Sequence, residues 1–315
     1  MADTVSLSGL AKHFNDEDAA RELMERMRWP NGIACPHCGG LDPYSLTPKA
    51  TSKKPGRKGL YKCRACRKQF TVTVGTVFED SRIPLSKWLL GLHLMASSKK
   101  GISAHQLHRN LGISYKAAWF MAHRMRYAMA SGPLAELLKG VIEMDETYIG
   151  AKRVRGAKRG RPGPDSPKTP VVALVERGGK VRAFPVERVT ADTLGTSLKA
   201  LARPDVTLMT DQLPAYGKMR HGDHQTVNHA TGEYVRGAVH TNTVEGFFSL
   251  LKRGINGTFH HVSKAHLHRY CAEFEFRYNN RVALGVNDGE RAQKLVRACE
   301  GKRLTYKQPA GTSSN

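Results

Sequence analysis

Two C-x-x-C pairs constrain the fold of this chain more than any other feature of its sequence. They are Cys35 and Cys38 in CPHC and Cys63 and Cys66 in CRAC, and 24 residues separate the two pairs. Each pair places two thiols on one tight turn, so together they supply the four thiolates of a tetrahedral zinc site. Because four protein ligands leave no open coordination position, we expect one structural Zn²⁺ that holds a small domain together.

Redox dithiols and ordinary buried cysteines are the alternatives, and two matched pairs disfavour both. The basic insert KATSKKPGRKG between the pairs is of the kind that a zinc ribbon tolerates. His37 lies between two ligands and could compete for the metal, but four cysteines suffice. Cys271 and Cys299 have no such spacing and are expected to be core or surface thiols.

Charge is the second strong signal. The 315 residues include 50 Lys and Arg against 27 Asp and Glu, a net charge of +23. The basic residues come in blocks without acids, at residues 49–68 and from Ser81 to Ala135. Lys and Arg gain affinity for phosphates by releasing condensed counterions, so such blocks indicate a nucleic-acid partner rather than a ribosome-like or merely solubilising surface.

The sequence predicts a cytoplasmic protein. Its first residues lack the apolar core of a signal peptide, and no run approaches the roughly 18 apolar residues that span a membrane. Six cysteines without a secretion signal favour a reducing compartment and metal binding over disulfides.

A helix-turn-helix pattern occupies residues 102–126, within the second acid-free block. Gly112 permits the turn, and Ser114 can cap the second helix. An ordinary helical hairpin is the alternative, and the absence of acids favours DNA contact. The side chains expected to face outward from the second helix are Tyr115, Lys116, His123, Arg124 and Arg126.

Acidic residues stand at the ends of predicted strands and on a predicted helix. The patterns predict strands at 141–149, 170–176, 180–186 and 206–210, and helices at 191–202, 243–253 and 263–281. On the first strand Glu143, Asp145 and Thr147 share one face, and Glu146 points to the other. Asp211 closes the fourth strand, and Glu245 shares a helical stripe with Lys252.

Three carboxylates from separate elements can hold two Mg²⁺ ions about 3.5–4 Å apart, which clamp the attacking and leaving oxygens of a phosphodiester. Each acid alone also has a structural interpretation. Asp145 could start a turn before Gly150, Asp211 could cap a helix near Pro214, and Asn242 with Glu245 fits a capping box.

The combined motifs resemble the DDE transposases of bacterial insertion sequences, in particular the group with an N-terminal zinc ribbon and an ISXO-like catalytic domain. The residues that carry the resemblance are CPHC…CRAC, the helix-turn-helix, MDETYIG with GAKRGRPG, TDQLPAYG, and HTNTVEGFFSLLKRGINGTFHHVS, within roughly residues 20–282. The resemblance implies an α/β, RNase H-like mixed sheet flanked by helices. The 33 residues between Asp211 and Glu245 match the DD(about 34)E spacing of the family.

The resemblance further implies a function and a site. Such an enzyme binds the terminal inverted repeats of its element and catalyses Mg²⁺- or Mn²⁺-dependent strand cleavage and strand transfer, as a dimer or larger synaptic assembly. Asp145, Asp211 and Glu245 would bind the two ions, and Lys252 would contact DNA. Some members have Asn in the third position, so Asn242 is a rival to Glu245; the helical stripe and the seven-residue step to Lys252 favour Glu245, with Asn242 as a cap or auxiliary ligand.

Five regions follow, with their expected DNA contacts. They are an N-terminal helical segment (1–30), a zinc ribbon (31–78), a helix-turn-helix domain (79–135), a catalytic domain (136–285) and a C-terminal tail (286–315). Besides the helix-turn-helix, the residues expected to contact double-stranded DNA of the element ends and target are Lys53, Lys54, Arg57, Lys58, Lys152, Arg153, Arg155, Lys158, Arg159, Arg161, Lys252 and Arg253.

Three other functions are compatible with parts of this pattern. A non-enzymatic DNA-binding regulator would leave the acids of residues 141–253 without a purpose. A structure-selective nuclease or resolvase would use the same acids without strand transfer. An inactive or domesticated transposase is disfavoured by the intact set of three acids.

Overall fold

The computed structural model describes residues 16–46, 58–132, 135–150, 168–219 and 221–305. The described residues fall into two compact units. The first unit takes those of Met1–Ser98, Ile102–Met129 and Val286–Asn315, and the second takes those of Lys99–Gly101 and Ala130–Gly285. Each unit has buried apolar side chains of its own.

The two cysteine pairs belong to a small antiparallel sheet in the first unit. Its strands pair in the order β1-β2-β3, with β1 at Pro43–Ser45, β2 at Tyr61–Cys63 and β3 at Gln69–Phe70. Tyr61 stacks on Phe70 with ring centroids 5.8 Å apart, and Trp29 meets both rings edge-on. Strands of two or three residues bury little surface, so this sheet depends on more than its own apolar contacts.

Helices contribute most of the other regular structure among the described residues of the first unit. Asp16 caps the first of them by accepting the backbone N–H groups of Asp18 and Ala19 at 2.8 and 3.1 Å. Apolar side chains such as Trp88 and Leu92 are buried on the second. The first four helices of the described residues are α1 (Glu17–Arg28), α2 (Leu85–Ser97), α3 (Ala104–Leu111) and α4 (Tyr115–Met129).

Helices α3 and α4 are joined by the short turn that the sequence predicted. Gly112 adopts the left-handed conformation there, with φ 57° and ψ 42°, which glycine reaches without the penalty that a Cβ imposes. Ser103 caps α3, and the hydroxyl of Ser114 accepts the N–H of Ala117 at 3.2 Å. The local geometry is that of two helices joined by a three-residue turn.

The second unit is built on a mixed five-stranded sheet in the order β6-β5-β4-β7-β8. Antiparallel pairs join β4 to β5 and β5 to β6, whereas β4–β7 and β7–β8 are parallel. The prediction of a mixed sheet is confirmed, and the four predicted strands coincide with β4 to β7. The strands are β4 (Val141–Gly150), β5 (Lys168–Glu176), β6 (Val181–Pro185), β7 (Thr207–Thr210) and β8 (His224–Thr226).

Helices cover both faces of this sheet. Val172 and Leu174 of β5 pack with α5 (Ala191–Leu201) on one face. Val171, Ala173 and Val175 pack on the other face with α7 (Asn242–Gly254) and α8 (Lys264–Asn279). A central strand buried on both faces reads as an unbroken apolar run, which is why VVALV marked it in the sequence. A short helix, α6 (Pro214–Gly217), and a hairpin of β9 (Val235–Arg236) and β10 (Val239–His240) lie between β7 and α7.

Part of the segment assigned to a C-terminal tail is helical. Helix α9 (Asp288–Ala298) starts with a capping box between Asn287 and Glu290, and it packs against α2 in the first unit. Local capping signals were present in the sequence, but the packing partner lies some 200 residues away. Among the described residues, no helix is long and apolar enough to cross a membrane.

Candidate active site

Strand β4 sorts its side chains between the two faces of the sheet. Ile142 and Met144 pack into the core beneath α5, whereas Glu143 and Asp145 face the side that carries α7. This alternation follows from the two-residue period of a strand. Asp145 therefore projects from the middle of a buried strand, opposite Ala173 of β5, and does not start a turn before Gly150.

Asp211 follows directly on β7, the parallel neighbour of β4. Its Oδ1 accepts the backbone N–H of Leu213 at 2.9 Å, and Leu213 is the residue that precedes α6. Leu213 is itself the capping position of α6, and no side chain caps that helix, so the interpretation of Asp211 as its cap is wrong. Asp211 lies close enough to Asp145 for its negative charge to raise the pKa of Asp145.

Glu245 stands in the first turn of α7. Its Oε1 accepts the hydroxyl of Thr241 at 3.0 Å. The helix begins at Asn242, and the capping position is Thr241, so the interpretation of Asn242 as the cap is wrong. Glu245 and Asn242 are both exposed, but only Glu245 is among the residues that line the cavity described next.

A cavity of about 680 Å³ opens between the middle of β4 and α7. Strand β4 contributes the carboxylates of Asp145 and Glu146, and α7 contributes the carboxylate of Glu245 together with the basic side chains. The lining residues are Asp145, Glu146, Thr147, Glu245, Phe248, Ser249, Lys252, Arg253, Asn256 and Gly257. The predicted neighbours Asp145, Glu245 and Lys252 thus border one cavity, together with Arg253.

The carboxylates repel one another. Burial, together with the charges of Glu146, Asp211 and Glu245, raises the pKa of Asp145 to about 7, against the opposing hydrogen bond from the N–H of Glu146. A buried carboxyl surrounded by like charges is a favourable place for a cation. All donors here are oxygens, the ligands that Mg²⁺ and Mn²⁺ prefer, so the residues present fit such ions.

Glu146 is a third acid of the cavity, beside Asp145 and Glu245, and it was not assigned a role from the sequence; Asp211 is not among the lining residues. As predicted, it points to the opposite face of β4 from Asp145; there its Oε2 accepts the hydroxyl of Tyr216 at 2.9 Å. Tyr216 is fully buried, and burial next to Glu146 raises its pKa well above 10. Because Tyr216 lies on α6, this hydrogen bond ties the turn after Asp211 to the strand that carries Asp145.

The four predicted zinc ligands lie together. Cys35 Sγ is 3.7 Å from Cys66 Sγ, and Cys38 Sγ is 3.6 Å from Cys63 Sγ. Tetrahedral zinc with bonds of about 2.3 Å places its sulfurs about 3.8 Å apart, so the cluster fits Zn²⁺. Within the described residues this is the one group of three or more Cys, His, Asp or Glu whose ligand atoms all lie within 4.8 Å of each other.

The three catalytic candidates are therefore more widely spaced than the cysteine sulfurs. Ligand oxygens on one octahedral Mg²⁺ lie at most about 4.2 Å apart, since each is about 2.1 Å from the ion. The ligand atoms of Asp145, Asp211 and Glu245 thus do not all lie close enough together to bind one such ion at the same time. His37, the possible competitor at the zinc site, instead places Nε2 3.3 Å from the carbonyl oxygen of Gln69.

The predicted DNA contacts divide into three groups. The first group is exposed: it consists of Lys252 and Arg253 at the cavity and of Lys58, Tyr115 and Lys116 in the first unit. Lys58 forms an ion pair with Asp18. A second group lies outside the described residues: Lys53, Lys54, Arg57, Lys152, Arg153, Arg155, Lys158, Arg159 and Arg161.

The third group corrects the prediction for α4. His123, Arg124 and Arg126 are buried, with exposed fractions of 1, 7 and 2%, so the expectation that they face outward is wrong. The guanidinium of Arg124 donates to the carbonyl oxygens of Val77, Glu79 and Leu304 at 2.9 to 3.1 Å. An arginine with five donors can satisfy several carbonyls at once, and here that role is structural.

Comparisons with known proteins agree with this arrangement. The sequence profile of an ISXO2-like transposase domain matches residues 137–279, and that of a transposase zinc-ribbon domain matches residues 15–69. A protein described as an uncharacterized protein in transposable element ISH50 of Halobacterium salinarum is 31% identical over 281 residues, which cover 84% of this chain and 92% of the relative. The chain belongs to the DDE transposases of insertion sequences that combine an N-terminal zinc ribbon with an ISXO2-like transposase domain.

Proposed function

We propose that this transposase binds the ends of its insertion sequence and catalyses Mg²⁺-dependent DNA strand cleavage and strand transfer. The observation that carries the proposal is the cavity that Asp145 and Glu245 line together with Lys252 and Arg253. Carboxylates bind hard divalent cations, and basic side chains bind phosphates, so one cavity supplies both halves of a phosphoryl-transfer site. The mixed sheet is compatible with an RNase H-like catalytic domain at 136–285.

Each residue has a defined part in this proposal. Asp145, Asp211 and Glu245 bind two Mg²⁺ or Mn²⁺ ions from separate elements, with Asn242 as an auxiliary ligand at most. When bound, the ions supply Lewis-acid stabilisation of the attacking and leaving oxygens. Lys252 and Arg253 hold phosphates of the DNA at the mouth of the cavity, so that water, and then the released 3′-hydroxyl, attacks in line. No ATP and no covalent protein–DNA intermediate is required.

The remaining regions select the DNA. The zinc ribbon at 31–78 and the helix-turn-helix domain at 79–135, with Lys58, Tyr115 and Lys116 exposed, recognise the terminal inverted repeats. Phosphate contacts from these basic side chains supply affinity, and base contacts supply specificity. Two ends must be joined in one reaction, so the working form is a homodimer or a larger synaptic assembly, acting on nucleoid DNA in the cytoplasm.

Labelled DNA carrying the ends that flank the gene tests the function. With Mg²⁺, the full-length protein should nick the labelled ends at a defined position and join the new 3′-hydroxyl to a second DNA. A reaction without divalent cation is the control and should give neither product. Cleavage without joining would favour a nuclease or resolvase, and end binding without cleavage would favour a DNA-binding regulator.

The pH dependence of metal binding is a second expected result. The pKa of Asp145 is about 7 in the native state and about 4 in the unfolded chain. Its contribution to the stability of the metal-free native state is therefore fully present below about pH 4 and is lost as the pH rises through about 7. Mg²⁺ binds the deprotonated site and opposes this loss. We expect the Mg²⁺-induced rise in melting temperature to be small below neutral pH and to grow to a few degrees above it.

Differential scanning fluorimetry across this pH range, with and without Mg²⁺, measures the effect. Asp145→Asn is the matched control, because the amide cannot titrate and should leave a Mg²⁺ response that is weak at every pH. An equal Mg²⁺ response of the wild-type protein on both sides of neutrality would contradict the prediction.

A further inference from the structure

Glu143 is a fully buried acid in the second unit that no predicted role accounts for. Both of its carboxylate oxygens are engaged. Oε2 accepts the backbone N–H groups of Thr243 and Val244 at 2.7 and 3.0 Å, and Oε1 accepts the hydroxyl of Thr243 at 2.8 Å. A charge that is buried this completely is retained only where its partners compensate the cost of removing it from water.

The partners of Glu143 include the start of α7. The first backbone N–H groups of a helix have no acceptor within the helix, and a carboxylate there also gains from the positive end of the helix dipole. In α7 the capping residue, Thr241, offers no side-chain cap. Glu143 therefore caps this helix from the neighbouring strand, across 100 residues of sequence.

Arg177 completes the contact. Its Nε donates to Glu143 Oε1 at 2.6 Å, and its terminal nitrogens donate to the carbonyl oxygens of Ala238 and His240 at 2.7 and 2.9 Å. His240 also places Nδ1 3.2 Å from Glu143 Oε1. The ion pair of buried Glu143 with partly exposed Arg177 thus holds together the strand, the chain that enters α7 and the first turn of α7 itself.

Glu143 and its hydrogen-bond partners on α7 lie next to the two candidate metal ligands in the sequence. Glu143 precedes Asp145 by two residues on the same face of β4, and Thr243 and Val244 immediately precede Glu245. The hydrogen bonds therefore join strand and helix right beside the two carboxylates that must act together. Glu143 itself does not line the cavity, and its oxygens are occupied, so it is not available as a metal ligand.

We propose that Glu143 is a positioning residue that sets the separation of Asp145 and Glu245 and thereby the affinity of the site for divalent cations. This inference rests on the proposed function for its catalytic consequence, but the attachment of the helix to the strand does not. Partners that orient metal ligands commonly change metal affinity or activity by about 10- to 100-fold when they are removed.

Glu143→Gln is the variant that tests the proposal. Glutamine keeps the shape, but one acceptor oxygen becomes an NH₂ donor that faces other donors. The matched control is Glu275→Gln, at a glutamate that is also buried, pairs with Arg182 at 3.2 Å and accepts the N–H of Ala183 at 3.1 Å, but does not line the cavity. Thr243→Val removes only the hydroxyl donor and serves as a milder variant should Glu143→Gln fail to fold.

Two readouts are needed, on the full-length protein. In the cleavage assay, Glu143→Gln should raise the Mg²⁺ concentration for half-maximal rate by about tenfold or more, and excess Mg²⁺ should restore most of the rate because the ligands are intact. Hydrogen–deuterium exchange without metal should be faster in the first turn of α7 and unchanged in its last turn. Thr243→Val should raise the half-maximal Mg²⁺ concentration and the exchange rate in the first turn of α7 by smaller amounts. Glu275→Gln should lower the melting temperature and leave both of these quantities unchanged.

Three outcomes would overturn the proposal: a wild-type Mg²⁺ dependence in Glu143→Gln, a loss of activity that excess Mg²⁺ does not restore, or an equal shift in Glu275→Gln. If the wild-type protein fails to cleave DNA, the proposed function fails instead. The exchange rates of the first turn of α7 then still decide whether Glu143 holds the helix.

Discussion

Asp145→Asn is expected to lower Mg²⁺-dependent strand cleavage by at least about 10³-fold, because loss of its charge removes a carboxylate that both proposed ions require. Binding to end DNA should stay within about a few-fold, since the affinity comes from basic side chains elsewhere. Cleavage of labelled ends and a mobility-shift titration with the same protein preparation measure the two effects separately. Asparagine is nearly isosteric and relieves the repulsion at a carboxyl whose pKa is raised, so the fold should be retained or slightly stabilised.

Asp192→Asn provides the control for this substitution. Asp192 is an exposed acid in the first turn of α5, in the same unit, and it does not line the cavity. The control should cleave at the wild-type rate. Undiminished cleavage by Asp145→Asn would refute the assignment of this carboxylate, whatever the behaviour of the other two.

The same cleavage assay can decide whether Glu245 or Asn242 is the third metal ligand. Glu245→Gln should be as defective as Asp145→Asn, because Glu245 lines the cavity and raises the pKa of Asp145 through its charge. Asn242→Ala should lose about tenfold or less, as expected for an auxiliary contact. A more severe defect in Asn242→Ala than in Glu245→Gln would reverse the assignment.

Loss of zinc should have the second large effect. Structural zinc contributes about 10–16 kcal/mol to the folding of small domains, which exceeds what strands of two or three residues can supply. Cys63→Ser removes one of four ligands and should reduce the zinc content from about one ion per chain to a small fraction. Hydrogen exchange should then lose protection in β2 and β3, and binding to end DNA should weaken by at least about tenfold as the ribbon unfolds.

His37→Ala is the matched control for zinc binding. His37 lies within the first C-x-x-C pair, but its ring is directed to the carbonyl oxygen of Gln69 rather than to the four sulfurs. The control should keep a full complement of zinc, measured by atomic absorption on protein dialysed against metal-free buffer. Full zinc content in Cys63→Ser, or its loss in His37→Ala, would contradict the ligand set.

Elements of the fold were predictable where a local pattern carried them. Strands β4 to β7 are apolar runs buried by the sheet, and helices α5, α7 and α8 follow the helical repeat, so their positions were correct from sequence. Strands β8 to β10 were missed because they are two or three residues long and largely polar. Such short strands exist only through pairing with a neighbour.

Burial of charged side chains was the point at which sequence reasoning failed. Arg124 stands on a helix rich in basic residues, where exposure is the ordinary expectation. Its guanidinium donates hydrogen bonds to carbonyl oxygens of loops that are distant in the sequence, and no pattern around residue 124 predicts these contacts. Glu146 and Tyr216 are a similar case, because they are 70 positions apart in the sequence and no local pattern indicates that they are hydrogen-bonded.

The sequence by itself thus predicted the candidate ligands and the regular elements that carry them. These features are four cysteines in two turns, three acids on two strands and one helix, and basic blocks that suit a phosphate-containing partner. Only the tertiary structure decided that Glu143 caps α7, that Thr241 rather than Asn242 precedes this helix, and that Arg124 is internal. The physical reason is the range of the interactions. Backbone pattern and ligand spacing act over a few residues, whereas the compensation of a buried charge depends on whichever groups the folded chain brings opposite it.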